Sequence, residues 1–123
     1  MASLELDLLE IMASGLGYPE GPIHCSDGSI LLVEIKGEQL TLVPADGGAP
    51  TKIVTIPGGP NGAAIGPNNS IFICNDGGFD WIPINLPTGQ SLSIGGNQPA
   101  NYTTGSLQKY TPATSTLSTL HTA

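Results

Sequence analysis

The chain contains no arginine and only three lysines, and Asp, Glu, Lys and Arg together make up 11% of its 123 residues. Without a basic stripe to neutralise phosphates, nucleic acid is disfavoured as a partner, and an anionic membrane surface equally so. Cysteine is scarce. Cys25 and Cys74 are too few for a disulfide framework and are not spaced as a zinc site, so they are expected to be free thiols in packed strands. No apolar run approaches the length of a membrane span. Glu5, Asp7 and Glu10 stand where a secretory signal needs a basic segment followed by an apolar one, which points to the cytoplasm. There is no Gly-x-Ser-x-Gly elbow to activate Ser29 or Ser70, and no Gly-Lys-Ser/Thr follows Gly59-Pro60-Asn61-Gly62 to make a phosphate loop.

What the chain does contain is glycine (17) and proline (11), in proportions that suit strands and turns rather than helices. Apolar residues reach 39%, enough for a folded domain, and the length fits one domain rather than two. Ten acidic residues give a net charge of −7, which suits a metal cation or a neutral polar ligand.

An internal repeat organises the sequence. Pro19-Glu20-Gly21-Pro22 through Ser29-Ile30-Leu31-Leu32-Val33-Glu34 overlies Pro60-Asn61-Gly62-Ala63 through Ser70-Ile71-Phe72-Ile73-Cys74-Asn75 at a constant offset of 41 residues. Each copy runs from a Pro-polar-Gly corner through a short strand and a turn into a stronger apolar strand. Further on, Gln39–Val43 resembles Ser106–Tyr110 at an offset of 67, so the second copy holds a loop insertion over 79–104, with a short hairpin expected near Gln90 to Ile94. Four strands are expected in each copy, at 21–25, 29–35, 38–43 and 51–56, then at 62–66, 70–74, 105–110 and 115–121. A leading strand is expected near 4–13, with a helix there as the alternative. Asp27-Gly28 and Asp46-Gly47-Gly48 read as tight turns.

Four antiparallel strands in a unit of about 41 residues is the pattern of a β-propeller blade. The expected fold is all-β, a partial β-propeller domain over 1–123. Blade one spans about 19–56 and blade two about 60–121, with one N-terminal strand beside them. Two blades leave sheet faces uncovered, so either copies associate, as a dimer or trimer completing a six-bladed ring, or further chain supplies the remaining blades. A small sandwich of eight or nine strands is the competing architecture.

The motifs Pro19-Glu20-Gly21-Pro22, Gly28-Ser29-Ile30-Leu31-Leu32-Val33-Glu34-Ile35, Gly59-Pro60-Asn61-Gly62-Ala63-Ala64 and Asn75-Asp76-Gly77-Gly78-Phe79 together resemble the senescence marker protein/gluconolactonase/luciferin-regenerating family. The likeness covers about 14–121 and corresponds to the first third to half of that family's length. It implies a six-bladed propeller, a calcium- or zinc-dependent lactonase activity, and a metal ligand at the Glu-Gly-Pro corner, here Glu20. It also implies that Asn61 lines the same channel and contacts metal or substrate. The family completes its site with an asparagine and an aspartate from later blades.

The residues themselves allow that chemistry. Hard cations take carboxylate and amide oxygens, and Glu20 and Asn61 offer one of each at equivalent corners. Calcium is therefore expected in preference to zinc. Asp76 and Asn61 are the catalytic candidates, and Asn61, Asn75 and Trp81 the substrate-binding candidates for a small cyclic sugar ester. Competing structural roles are the Asp76-Gly77-Gly78 turn and inter-strand hydrogen bonding by Glu34 and Asn75. His24 is expected to pack within its strand. The alternative to a lactonase is a non-catalytic fragment that binds a small molecule or serves oligomerisation.

Overall fold

The computed structural model describes residues 8–123. Among these residues ten strands form: β1 (Pro19–His24), β2 (Ile30–Glu34), β3 (Gln39–Val43), β4 (Thr51–Thr55), β5 (Pro60–Ile65), β6 (Ile71–Asn75), β7 (Trp81–Asn85), β8 (Ser91–Gly95), β9 (Ser106–Thr111) and β10 (Thr116–Thr122). They form two four-stranded antiparallel sheets, β1-β2-β3-β4 and β10-β9-β6-β5, and a two-stranded ribbon, β7-β8. No α-helix occurs among the described residues, and no helix is long and apolar enough to cross a membrane.

The repeat is structural as well as textual. The Cys25 N–H donates to Ser29 O at 2.8 Å, and 41 residues later the Gly66 N–H donates to Ser70 O at 2.8 Å. Likewise Ile35 N–H donates to Tyr18 O at 3.0 Å and Asp76 N–H to Gly59 O at 2.9 Å. Both corner strands also carry a register shift, between Glu20 and Ile23 in β1–β2 and between Pro60 and Gly62 in β5–β6, within the same few residues of the repeat. The eight strands expected from the repeat are present within one or two residues of their bounds.

Alternation along the central strands builds the core. Leu31 and Val33 on β2 share a face with Leu40 on β3, and Ile71 and Ile73 on β6 share a face with Tyr110 on β9. These residues, with Ile56, form one buried cluster between the two sheets. Val33, Leu40, Ile56 and Ile73 are fully buried. β5 lies against β1 and β2, so the two corner strands are neighbours.

Three expectations need correction. The leading strand near 4–13 does not form over its described part: residues 9–13 are neither strand nor helix, and Leu9 and Ile11 are exposed without a sheet partner; 4–7 lie outside the described residues. Cys74 is exposed and Cys25 half-buried, both as free thiols. Cys74 shares with Phe72 and Leu107 the face of the second sheet turned away from the core, where nothing among the described residues covers it. His24 is likewise exposed at the end of β1.

The insertion carries more structure than one short hairpin arm. Ile82 pairs with Ile94 and Ile84 with Leu92, so β7 and β8 alternate in phase, and the turn between them is closed by Leu86 N–H donating to Gln90 O at 2.8 Å and Gly89 N–H to Leu86 O at 3.0 Å. Pro83 is tolerated because a two-stranded ribbon consists only of edge strands. The ribbon is tied back to the first sheet by Lys36 Nζ, which donates to Ser93 Oγ at 2.6 Å.

Candidate functional site

Glu20 and Asn61 reach their positions through equivalent bulges. A bulge inserts an unpaired residue and re-aims the side chains beside it. Asn61 is the residue skipped between Pro60 and Gly62, and Glu20 is the last paired residue before the skip at Gly21-Pro22. Close approach of the two corner strands depends on Gly21. Its φ is +58°, and a Cβ there would lie 3.0 Å from Ala63 N and 3.1 Å from Gly62 Cα.

Glu20 and Asn61 line one cavity of about 360 Å³, together with Tyr18, Ile35, Phe79, Trp81 and Gly95. Three of the chain's six aromatic residues are therefore in one wall. Tyr18 and Trp81 have ring centroids 5.2 Å apart with planes tilted by 45°, and Phe79 meets Trp81 edge-on at 5.8 Å. Tyr18 has a left-handed backbone, φ 60°, which is uncommon for a bulky residue. Tyr18 and Ile35 were not singled out by sequence. The available signal was their place: Tyr18 immediately precedes the Pro-Glu-Gly corner, and Ile35 occupies the repeat position of Asp76.

Asp76 is joined to this site through Asn61, whose Nδ2 donates to Asp76 Oδ2 at 3.2 Å. The other carboxylate oxygen accepts from Gly78 N–H at 2.9 Å, so Asp76 also makes the expected turn. Asn75 is held elsewhere. Its Oδ1 accepts from the Gly59 and Gly77 N–H groups, each at 2.9 Å, and its Nδ2 donates to Pro57 O at 2.8 Å and Gln108 Oε1 at 3.0 Å. All four of its hydrogen-bonding positions are filled by the protein. The equivalent Glu34 is buried, taking Gly17 N–H at 2.5 Å, Gln39 Nε2 at 2.8 Å and the Thr41 hydroxyl. Of the sequence candidates, Glu20, Asn61 and Trp81 thus share one cavity, Asp76 is one hydrogen bond away, and Asn75 ties the end of β6 to β9 and to the Pro57–Gly59 segment that leads into β5.

The oxygen donors in the cavity are one carboxylate and one amide, and no histidine or cysteine lines it. Among the described residues no three His, Cys, Asp or Glu side chains converge as a metal-binding group. No protein-family model and no curated protein sequence matches the chain.

Proposed function

We propose that the chain is part of a divalent-cation-dependent hydrolase of small lactones, of the gluconolactonase type. The observation that carries this reading is the convergence of Glu20 and Asn61, from equivalent bulges on neighbouring strands, into a cavity with an aromatic wall. The donor set fits a hard cation such as calcium better than zinc, which takes mostly nitrogen and sulfur ligands. Calcium takes six to eight oxygens, so water and donors from further blades complete the shell. Those blades come from other copies of the chain in a six-bladed ring, or from further chain.

Glu20 and Asn61 Oδ1 are the groups that would hold the cation. When bound, it supplies Lewis-acid polarisation of the lactone carbonyl and a lowered pKa for ligated water. Asp76 fixes the Asn61 amide by accepting its Nδ2–H, which leaves Oδ1 as the free acceptor. The Asp76 carboxylate takes the proton of the attacking water and returns it to the ring oxygen as the C–O bond breaks, leaving a hydroxy acid. Trp81, Phe79 and Tyr18 offer apolar ring surface to the C–H face of a cyclic substrate and exclude water from one side.

The test is hydrolysis of glucono-δ-lactone followed by pH-stat, with calcium, with a chelator, and with Glu20→Gln. Turnover that requires calcium and is lost in Glu20→Gln supports the reading. Turnover indifferent to both removes it, and absence of turnover with intact small-molecule binding favours the non-catalytic binding fragment.

A further inference from the structure

A second cavity, of about 390 Å³, opens where β6 and β9 meet the insertion, and Phe79 is the residue it shares with the first. The repeat provides an internal control for it. In the first sheet the corresponding carboxylate, Glu34, gathers Gly17, Gln39 and Thr41 around itself, and the cavity there is lined by Leu16, Gly17, Lys36 and Gly37. In the second, Asn75 stands for Glu34 and Gln108 for Thr41, and the chain between β6 and β9 swings away through 79–104. The same position in the fold thereby carries a buried carboxylate satisfied by its own sheet in one unit and an amide pair, Asn75 and Gln108, in the other.

The walls of this hollow are selective. Asn75 holds Gln108 by its Oε1, which fixes the amide and leaves Nε2, with its two N–H groups, without a protein acceptor among the described residues. Thr103, Ser106 and Asn101 add hydroxyl and amide groups, and Glu38 adds one carboxylate, whose Oε1 accepts from Gly58 N–H at 3.3 Å. Phe79 and two prolines, Pro57 and Pro99, supply apolar surface. No lysine or histidine lines the cavity, so nothing compensates a phosphate or carboxylate. Fixed amide donors, hydroxyls, one carboxylate acceptor and an apolar flank together match a neutral molecule dense in hydroxyl groups.

We propose that this cavity is a second small-molecule site, distinct from the one formed by Glu20 and Asn61, and that it takes a neutral polyhydroxylated ligand of about monosaccharide size, with Gln108 and Glu38 as its polar anchors. The proposal stands apart from the lactonase reading, because its readout is binding rather than turnover.

The test uses the full chain labelled with ¹⁵N, titrated with glucose, myo-inositol and glucose 6-phosphate. The expected result is saturable movement of the Gln108 side-chain amide resonances with glucose or myo-inositol. Glucose 6-phosphate binds at least about tenfold more weakly, a difference of about 1.4 kcal/mol. Ser106→Leu, which fills the cavity, and Glu38→Gly, which keeps the left-handed backbone at that position while removing the carboxylate, each weaken binding about tenfold or more, with the amide spectrum confirming that both remain folded. No movement with either neutral probe, or movement unchanged in both folded variants, overturns the proposal. Preferential binding of glucose 6-phosphate overturns the ligand class.

Discussion

Asn61 and Asp76, fifteen residues apart, are joined side chain to side chain, Nδ2 to Oδ2 at 3.2 Å. One comes from a bulge in β5 and the other from the turn that follows β6, so the bond spans the two strands that carry the corner and its return. Asp76→Asn retains an oxygen for the Gly78 N–H but loses the carboxylate. Because Asn61 is exposed, the stability cost is expected to be small, about 0.5–1.5 kcal/mol in a urea titration. Lactone turnover is expected to fall by about 10²-fold, as for removal of a general base. Equal turnover in the variant assigns Asp76 to the turn alone.

Glu34 and Asn75 hold the same place in the two sheets and are expected to matter for stability rather than for chemistry. Glu34→Ala strands the Gly17 N–H, the Thr41 hydroxyl and the Gln39 amide in a buried setting, at a cost of about 3 kcal/mol. Asn75→Ala strands two N–H groups and two acceptors and is expected to cost a similar amount. Denaturant midpoints read both. A loss below about 0.5 kcal/mol for either shows that water replaces the network.

Acid titration offers a local check. The Ser29 hydroxyl, and then its backbone N–H, hold the Asp27 carboxyl below the ordinary aspartate value of 3.8. With the folded pKa depressed, the contribution of this turn is complete above 3.8 and is lost as the pH falls through the lower folded value. Following Asp27 Cγ by NMR, Ser29→Ala is expected to move the titration upward toward 3.8. An unmoved midpoint contradicts the hydrogen-bond origin.

Cys74 reports on whether the outer face of the second sheet is covered in solution. The thiol is exposed there beside Leu107, whereas Cys25 is half-buried against the core. If copies pack blade against blade, alkylation of Cys74 by iodoacetamide slows by about tenfold or more between dilute and concentrated protein, while Cys25 changes little. A Cys74 rate independent of concentration removes self-association over that face.

Much of the fold was legible because the repeat is ungapped over its first strands. Two copies of a corner, a turn and an apolar strand fix strand order and register together, and Asp27-Gly28 and Asp46-Gly47 mark their turns by Asx chemistry. Over 9–13, the described part of the expected leading strand, no sheet edge pairs with the chain, and apolar side chains alone do not make a strand without one; the alternation at 4–7 lies outside the described residues. The β7-β8 ribbon was only partly visible, since Pro83 and Pro87 argue locally for a loop while cross-strand pairing of Ile82 with Ile94 is a long-range term. Of the candidate site, Glu20 and Asn61 were legible as repeat partners, and Trp81 as an aromatic in the insertion. The repeat gave the places of Tyr18 and Ile35 beside the corner, but not that their side chains line the cavity, which depends on packing against Phe79 and Trp81 of the insertion.

Calcium titration by calorimetry tests the central claim most directly, since it asks whether Glu20 and Asn61 form one cation site. The wild-type chain is expected to bind calcium saturably, and Glu20→Gln and Asn61→Ala are each expected to weaken that binding by about tenfold or more while unfolding at unchanged urea concentration. Absence of calcium binding by the wild-type chain, or equal affinity in both variants, contradicts the account.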